Sequence, residues 1–281
     1  MFKVFFATRS RLLEGRSLRS LTYSGRMNKE NFIVHEPLIL ALDTSSKATS
    51  IAVRQGAKPL KSISAPAEEK RSEKLWSEVQ ALLEELGITI SDVDVFAVCV
   101  GPGGFTGLRI GIAAVKGFAA ATDKPVVAVT SLEAAAFGAR SGSSVCAMVN
   151  AYKGEVYSQL FSFGGDGMPV AENGPIVSTF EKALARVADV TDLVFVGDGV
   201  EAGKEVILRV SGTCGEGRWA IKGSERCMAE HVAELALLRY ERGETETAAG
   251  LTACYVRPAE AEIKLSLGLL GSKIKRSMKA E

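Results

Sequence analysis

The stretch Val93-Asp-Val-Phe-Ala-Val-Cys-Val-Gly-Pro-Gly-Gly-Phe-Thr-Gly-Leu-Arg-Ile-Gly111 joins a mostly apolar run to a glycine-rich turn and then to a helical pattern. It predicts a strand buried on both faces that leads into a helix. The turn is not a P-loop, because Leu108 and Arg109 stand where Lys and Ser or Thr should follow Gly107. It is not a G-x-G-x-x-G fingerprint either, because Thr106 occupies the third glycine position.

Two interpretations of the helix after this turn remain open. Gly107, Gly111, Ala114 and Gly117 keep one side small, which favours close packing against another helix. Arg109 then projects towards a partner or a carboxylate. Alternatively, the backbone N–H groups at the helix start form an anion site that the glycines leave accessible.

The sequence on both sides of this stretch predicts a mixed α/β chain, because three strands precede alternating helices and strands. The second half repeats this order more weakly, which suggests a duplicated α/β domain. Strands are predicted over 38–43, 49–54, 60–64, 93–100, 125–129, 144–150, 155–163 and 193–196, and helices over 68–86, 105–121, 132 onwards, 180–187 and 228–239. The predicted organisation is an N-terminal extension (1–37), a first α/β domain (38–143), a second, reduced α/β domain (144–264) and a basic C-terminal tail (265–281).

Composition excludes several classes of protein. With 47% hydrophobic and 24% charged residues, the 281-residue chain has enough apolar material for a core and does not resemble a disordered protein. Lys116 interrupts the longest apolar run, so no membrane span is predicted. Five scattered cysteines argue against a disulfide framework, and two histidines argue against a histidine-rich metal site. We therefore expect a cytoplasmic protein without a resident metal.

The net charge of +1 is the sum of a basic N-terminal part and an acidic remainder. Residues 1–26 contain six basic residues and one acidic residue, so residues 27–281 have a net charge of −4. The basic lead is interpreted as an organelle transit peptide, a disordered arm that touches nucleic acid, or sequence upstream of a true start at Met27. We favour Met27, because the periodic pattern begins shortly after it.

Two short polar segments are candidate phosphate sites. Asp43-Thr44-Ser45-Ser46 forms a turn between two predicted strands, where hydroxyl and N–H groups can bind phosphate and the acid can orient a metal-bound water. Gly197 and Gly199, around Asp198, follow a predicted strand of the second half. The competing interpretation of the first segment is a hydrogen-bonded turn in which Asp43 accepts local N–H groups.

Five segments in this order resemble the TsaB (YeaZ) family across about residues 38–264. They are Leu40-Ala-Leu-Asp-Thr-Ser-Ser46, Gly101-Pro-Gly-Gly-Phe-Thr-Gly-Leu-Arg-Ile-Gly-Ile112, Gly154-Glu-Val-Tyr157, Val196-Gly-Asp-Gly199 and Cys254-Tyr-Val-Arg257. The resemblance implies an actin/hexokinase/Hsp70-like (ASKHA) fold of two related α/β domains. It also implies a role in forming N6-threonylcarbamoyladenosine at position 37 of tRNA, as a partner of the TsaD-type transferase alongside the TsaE-type ATPase.

The resemblance further implies that the chain is non-catalytic. The catalytic relative TsaD holds its metal with two histidines four residues apart on the first-domain helix. Here that helix start reads Glu69-Lys-Arg-Ser-Glu-Lys-Leu-Trp76, with Arg71 where TsaB-like proteins often have a histidine. No catalytic residue, no metal ligand and no required cofactor are therefore assigned. ATP or ADP at a partner interface remains compatible with the sequence.

In the family, the helices from Glu68 and Phe105 pack against the equivalent pair of TsaD, or of a second TsaB, as a four-helix bundle. The interface is therefore predicted at Leu75, Trp76, Val79, Thr106, Gly107, Arg109, Ile110, Gly111 and Ala114. Leucine at Gly107 or Gly111 is predicted to block complex formation in a folded protein, and contact with tRNA is expected only indirectly. The alternative function is a stand-alone ATPase or phosphotransferase that uses Asp43, Thr44, Ser45, Ser46, Gly197 and Gly199.

Overall fold

The first half of the protein is a five-stranded sheet with its helices. The computed structural model describes residues 36–46, 48–66, 71–139, 144–214 and 218–257. In chain order the elements are β1 (Leu38–Asp43), β2 (Ala48–Gln55), β3 (Lys58–Pro66), α1 (Arg71–Glu85), a 3₁₀ turn at Ile90–Asp92, β4 (Val95–Cys99), α2 (Phe105–Thr122), β5 (Val126–Val129) and α3 (Ser131–Ala139).

The second half repeats this sequence of elements. Its members are β6 (Ser144–Tyr152), β7 (Glu155–Phe163), β8 (Pro169–Ala171), β9 (Ile176–Thr179), α4 (Phe180–Ala185), β10 (Leu193–Val196), α5 (Asp198–Cys214), β11 (Trp219–Ile221) and α6 (Met228–Glu241). The main difference is that two short strands, β8 and β9, together take the place of the single strand β3.

The two sheets have the same strand order. The first runs β3-β2-β1-β4-β5, and the second runs β8-β7-β6-β10-β11, with β9 also paired to β7. In each, the first strand is antiparallel to the second and parallel to the strand that follows the first crossover helix. This duplication confirms the predicted fold class of two related α/β units.

Helices cover both faces of the first sheet, which explains why β1 and β4 are buried along their whole length. Leu40 and Leu42 of β1 pack in a cluster with apolar residues of α1 and α2. Ile39 and Ala41 point to the opposite face, where α3 and α6 cover them. Helix α6 therefore packs on the first sheet although it follows the second in the chain.

Helix α3 contacts the cores of both sheets. Its residues Ala134 and Phe137 pack in the cluster that covers the first sheet. Leu132 and Ala136, on the other side of the same helix, pack against apolar residues of β6 and β7. All four side chains are buried, so this short alanine-rich helix connects the hydrophobic cores of the two halves.

The structure confirms the predicted strands and helices that fall within the described residues, and it adds the 3₁₀ turn, one helix and three short strands. Helix α5 was missed because its sequence opens with Asp198-Gly199 and also contains Gly203 and Gly212, which lowers helix propensity. Strands β8, β9 and β11 have three or four residues each, too few for a periodic signal.

Some predictions fall outside the described residues. These are the N-terminal extension up to residue 35, the start of the first long helix at 68–70, and the tail at 265–281. Among the described residues, no helix combines the length and apolar character that a membrane crossing requires.

Candidate functional site

The outer face of α1 and α2 exposes a large aromatic side chain. Trp76 is 57% exposed, although Leu75 and Val79 of the same helix are buried in the first core. Its ring meets that of Phe118 from α2 edge to face, with the centroids 4.7 Å apart. This contact fixes the orientation of an exposed indole, the kind of side chain that often anchors a protein interface.

The outward-facing residues of α2 are mostly small. Its exposed residues follow helical spacing, whereas Leu108, Ile112 and Val115 point into the core. The exposed set is Phe105, Thr106, Arg109, Ala113, Gly117, Ala120 and Ala121. The sequence analysis named Gly117 only as part of the small side of the helix. It did not place Phe105 or Ala113 in the interface, although a step of four residues from Arg109 leads to Ala113.

Two grooves lie on either side of Trp76. The first has a volume of about 500 Å³ and is lined by Leu75, Trp76, Phe105, Thr106, Arg109, Ile110, Ala113 and Ala114. The second has a volume of about 380 Å³ and is lined by Trp76, Val79, Gln80, Leu83, Glu84, Ile88, Thr89, Ile90, Gly117, Phe118 and Ala121. Seven predicted interface residues, all except Gly107 and Gly111, therefore line one or both of these grooves. We call this surface the α1/α2 face.

The first turn of α2 carries a cluster of exposed aromatic and cationic side chains. The Arg109 guanidinium lies over the Phe105 ring, with its Cζ atom 3.9 Å from the centroid. The Tyr255 ring lies 5.2 Å from the Phe105 ring, and Arg109 Nε donates a hydrogen bond to the Tyr255 hydroxyl at 3.2 Å. The segment Cys254–Arg257 marked the family resemblance, but sequence reasoning did not predict that it meets α2.

The structure corrects the placement of Gly107 and Gly111 on the partner face. Both are buried, and the Thr44 hydroxyl donates a 2.7 Å hydrogen bond to the Gly107 carbonyl. A Cβ atom on Gly111 would lie 2.4 Å from Thr44 Oγ1, inside the fold. Gly111 therefore allows α2 to approach the end of β1, and leucine at this position would collide with Thr44 instead of sparing the fold.

The Asp43–Ser46 turn forms a closed hydrogen-bonded structure. Asp43 Oδ1 accepts hydrogen bonds from the Ser45 amide at 2.9 Å and the Ser45 hydroxyl at 2.6 Å. Gly104 N–H donates to the Ser45 carbonyl at 2.7 Å, and a Cβ atom on Gly103 would lie 2.3 Å from that oxygen. Since these hydroxyls are buried and engaged within the chain, the described part of the turn favours a structural role over a phosphate site.

Asp43 nevertheless keeps one unusual feature. Its Oδ2 atom is buried, and it has no hydrogen-bond partner among the described residues. Burial raises the pKa of the Asp43 carboxyl, with a smaller rise from the negative charge of Asp198, against the hydrogen bonds from Ser45 that lower it. The buried Cys99 thiol lies 3.4 Å from Ser45 Oγ, and its pKa is raised, chiefly by burial.

The second candidate phosphate segment serves close packing. Cβ atoms on Gly197 and Gly199 would lie 2.2 Å and 2.9 Å from backbone atoms of Met148 in β6. Gly197 also lines a cavity of about 270 Å³ with residues of α3 and α6, including His231, and with Ser224 from the segment between β11 and α6. Ser224 Oγ lies 2.9 Å from His231 Nε2, but the cavity's cations are engaged, since Lys222 donates to the Ala139 carbonyl.

Comparisons with known proteins identify the family. The family model for TsaD, described as tRNA N6-adenosine threonylcarbamoyltransferase, matches residues 39–238. The chain is 29% identical to the tRNA threonylcarbamoyladenosine biosynthesis protein TsaB of Bacillus subtilis (strain 168), over 80% of this chain and 96% of that protein. It is 32% identical to the protein of the same name from Escherichia coli (strain K12), over 61% of this chain and 78% of that protein.

A solved structure agrees with the sequence comparisons. It is a Pseudomonas aeruginosa protein described as similar to the peptidase YeaZ, with a TM-score of 0.66 and 30% identity. The match covers 79% of this chain and the whole of that one. The sequence relatives and the solved structure therefore lead to one conclusion: the chain belongs to the TsaB (YeaZ) family.

Proposed function

We propose that this chain is a non-catalytic partner protein in the formation of N6-threonylcarbamoyladenosine on tRNA. Its relatives are named for this biosynthesis, and the family model that it matches is that of the transferase. The proposed role is to bind a TsaD-type transferase through the α1/α2 face in the cytoplasm. The TsaE-type ATPase joins this complex, and a homodimer through the same face is the competing assembly.

The observation that carries the proposal is the exposed apolar character of the α1/α2 face. Trp76 stands between two grooves, and the adjoining outer side of α2 consists largely of small residues. Apolar grooves of this kind, with an aromatic anchor at their centre, are typical of surfaces that a partner covers. Burial of Trp76 alone is worth about 1.5–3 kcal/mol.

Two observations support a non-catalytic role. The helix start that carries the metal-binding histidines in the transferase contains none here, and the chain has only His35 and His231. Within the described residues, no group of three or more His, Cys, Asp or Glu side chains is arranged to hold a metal ion. A metal-assisted transfer needs such ligands, so we assign that chemistry to the partner.

Charge supports an indirect role in tRNA binding. Residues 27–281 have a net charge of −4, which disfavours strong attraction to phosphates. The partner then supplies most of the tRNA contacts. We further propose that the chain needs no cofactor of its own and that any ATP or ADP binds at the partner interface.

Two exposed helical glycines test the proposed surface. Gly117 on α2 and Gly212 on α5 both have open space where a Cβ atom would stand. Leucine at either position fits the fold and improves helix propensity by about 1 kcal/mol. We expect Gly117→Leu to weaken binding of the TsaD-type transferase at least 100-fold, because the side chain fills the groove beside Trp76, whereas Gly212→Leu binds normally.

Calorimetric titration of purified proteins measures both affinities, and thermal unfolding verifies that both variants are folded. Normal transferase binding by Gly117→Leu would show that the α1/α2 face is not the interface. A reconstituted tRNA reaction tests the role itself: omission of this protein should abolish product formation. ATP turnover by the isolated protein would instead support the alternative of a stand-alone ATPase or phosphotransferase.

A further inference from the structure

All the charged residues of helix α2 are basic. It contains Arg109 and Lys116 and no acidic residue. Within the described residues, neither cation forms an ion pair, and Arg109 is exposed at the edge of the 500 Å³ groove. Arg109 thus places a positive charge beside an apolar surface that a partner is proposed to cover.

The position of Arg109 is fixed by two aromatic rings. The guanidinium plane stacks on Phe105, and the Nε–H group donates to the Tyr255 hydroxyl. These contacts use one face of the guanidinium and its Nε–H group. The two terminal Nη groups are therefore available to pair with a carboxylate. An arginine that is already ordered loses less side-chain entropy when it pairs with a carboxylate.

Tyr255 itself is held by a segment that crosses between the two halves. Leu251 is fully buried in the first core, and Cys254 N–H donates to the Val100 carbonyl at 2.8 Å. At the other end, Arg257 forms an ion pair with Glu155 of β7 in the second half. The segment Leu251–Arg257 is therefore anchored on both sides of the exposed Tyr255 ring, which is 48% exposed.

We propose that Arg109, held by Phe105 and Tyr255, recognises a carboxylate on the transferase partner, and that the anchored segment Leu251–Arg257 extends the partner surface. This inference rests on the proposed function. The occupant is argued from charge: an acidic side chain of the partner complements a helix with two cations and no acid. A partner without that carboxylate would leave Arg109 unpaired at the edge of an apolar groove, which disfavours the wrong partner.

Removal of the charge tests the proposal. Arg109→Met keeps much of the apolar stem, and Arg209→Met on α5 is the matched control, since Arg209 is also an exposed helical arginine. We expect Arg109→Met to weaken transferase binding by about tenfold in low salt, with a smaller loss at high salt, because ion pairs at an interface rim are screened. Arg209→Met should leave the affinity and its salt dependence unchanged.

Tyr255→Phe tests the positioning role. The phenylalanine ring retains the stacking on Phe105 but offers no hydroxyl to Arg109. We expect a loss of about threefold in affinity, and no loss when the same change is made in the Arg109→Met background. An equal effect in both backgrounds would show that Tyr255 does not act through Arg109.

The α1/α2 interface and the recognition of a carboxylate by Arg109 can be tested separately. If Gly117→Leu abolishes binding while Arg109→Met binds with unchanged affinity and salt dependence, the charge recognition is wrong and the α1/α2 interface stands. If Gly117→Leu binds normally, the proposed interface itself is wrong. Restoration of Arg109→Glu binding by a compensating acid-to-lysine change on the transferase would support the proposal directly.

Discussion

The two halves share one strand order but differ in one helix. In the first half α2 follows β4, and in the second half α5 takes the same place after β10. On α2 the exposed residues are mostly small or apolar, with Arg109 as an isolated charge. On α5 the exposed positions include the charged residues Glu201, Lys204, Glu205 and Arg209, together with the apolar Leu208. The same architecture therefore presents a surface suited to a protein partner in the first half and one suited to water in the second.

The turns before these helices differ in a second way. Gly101 and Gly197 follow β4 and β10, and both have φ = +101°, a conformation that side chains rarely adopt. A Cβ atom on Gly101 would meet the flexible Leu108 side chain at 2.9 Å and the Cys254 carbonyl at 3.1 Å. On Gly197 it would lie only 2.2 Å from the Met148 carbonyl oxygen, which belongs to a central strand. The second half thus packs its turn more tightly.

The largest expected effect tests this difference in packing. Gly197→Ala should lower the free energy of unfolding by about 4 kcal/mol, because backbone strain adds to a collision with β6. Gly101→Ala should cost about 2 kcal/mol, since Leu108 can move. Urea denaturation followed by circular dichroism measures both, and equal losses would contradict the proposed difference between the turns.

An intermediate effect concerns Asp43, whose raised pKa reflects burial in the first half and the charge of Asp198 in the second. In the unfolded chain this carboxyl ionises near pH 3.8, whereas in the folded chain it ionises at higher pH. The folded state therefore holds more protons between these values, and stability falls as pH rises through that window. Each unit of difference corresponds to about 1.4 kcal/mol.

We expect the stability of the Asp43→Asn variant not to fall with pH in this way. The variant therefore gains stability relative to the natural protein as pH rises from 4 towards 7. Urea denaturation at several pH values measures the effect. Asp92→Asn is the control of opposite sign, because hydrogen bonds from Thr89 lower the pKa of the exposed Asp92 carboxyl. A difference between the Asp43→Asn variant and the natural protein that does not change with pH would contradict the raised pKa of the buried Asp43 carboxyl.

The smallest expected effect compares the hairpin turns. In the second half, Tyr152 and Lys153 have left-handed φ angles of 59° and 54°. Lys153→Gly should raise the free energy of unfolding by about 0.5 kcal/mol, because glycine adopts this conformation without a steric cost. In the first half, Ser46→Gly should lower it by about 0.5–1 kcal/mol, because the Ser46 hydroxyl is hydrogen-bonded to both backbone groups of Ala48. Destabilisation by Lys153→Gly would contradict the strain assigned to this turn.

Local patterns predicted most of the fold. Apolar runs such as Leu38–Asp43 and Val95–Cys99 are buried strands, and the helical spacing of α1, α2 and α6 was readable directly. Helix α5 was not predicted, although its apolar residues also follow helical spacing, because its glycines lower the helix propensity of the segment. An apolar stripe is therefore easier to recognise in a segment without interior glycines than in one that contains them.

The candidate interface divides in the same way. Seven of the residues predicted from the sequence line the two grooves, because spacing fixes which residues share a helix face. The sequence analysis misplaced Gly107 and Gly111, since small residues permit close approach on whichever side is crowded, and here that side is Thr44.

The sequence by itself therefore determined the family, the α/β class and the absence of the transferase's histidines, because these depend on residue identity and local spacing. Only the tertiary structure decided which side of α2 faces outwards and that Tyr255, 146 residues further along the chain, meets Arg109. Such contacts arise where the chain returns to a surface built much earlier, and no local pattern encodes the distance that folding closes.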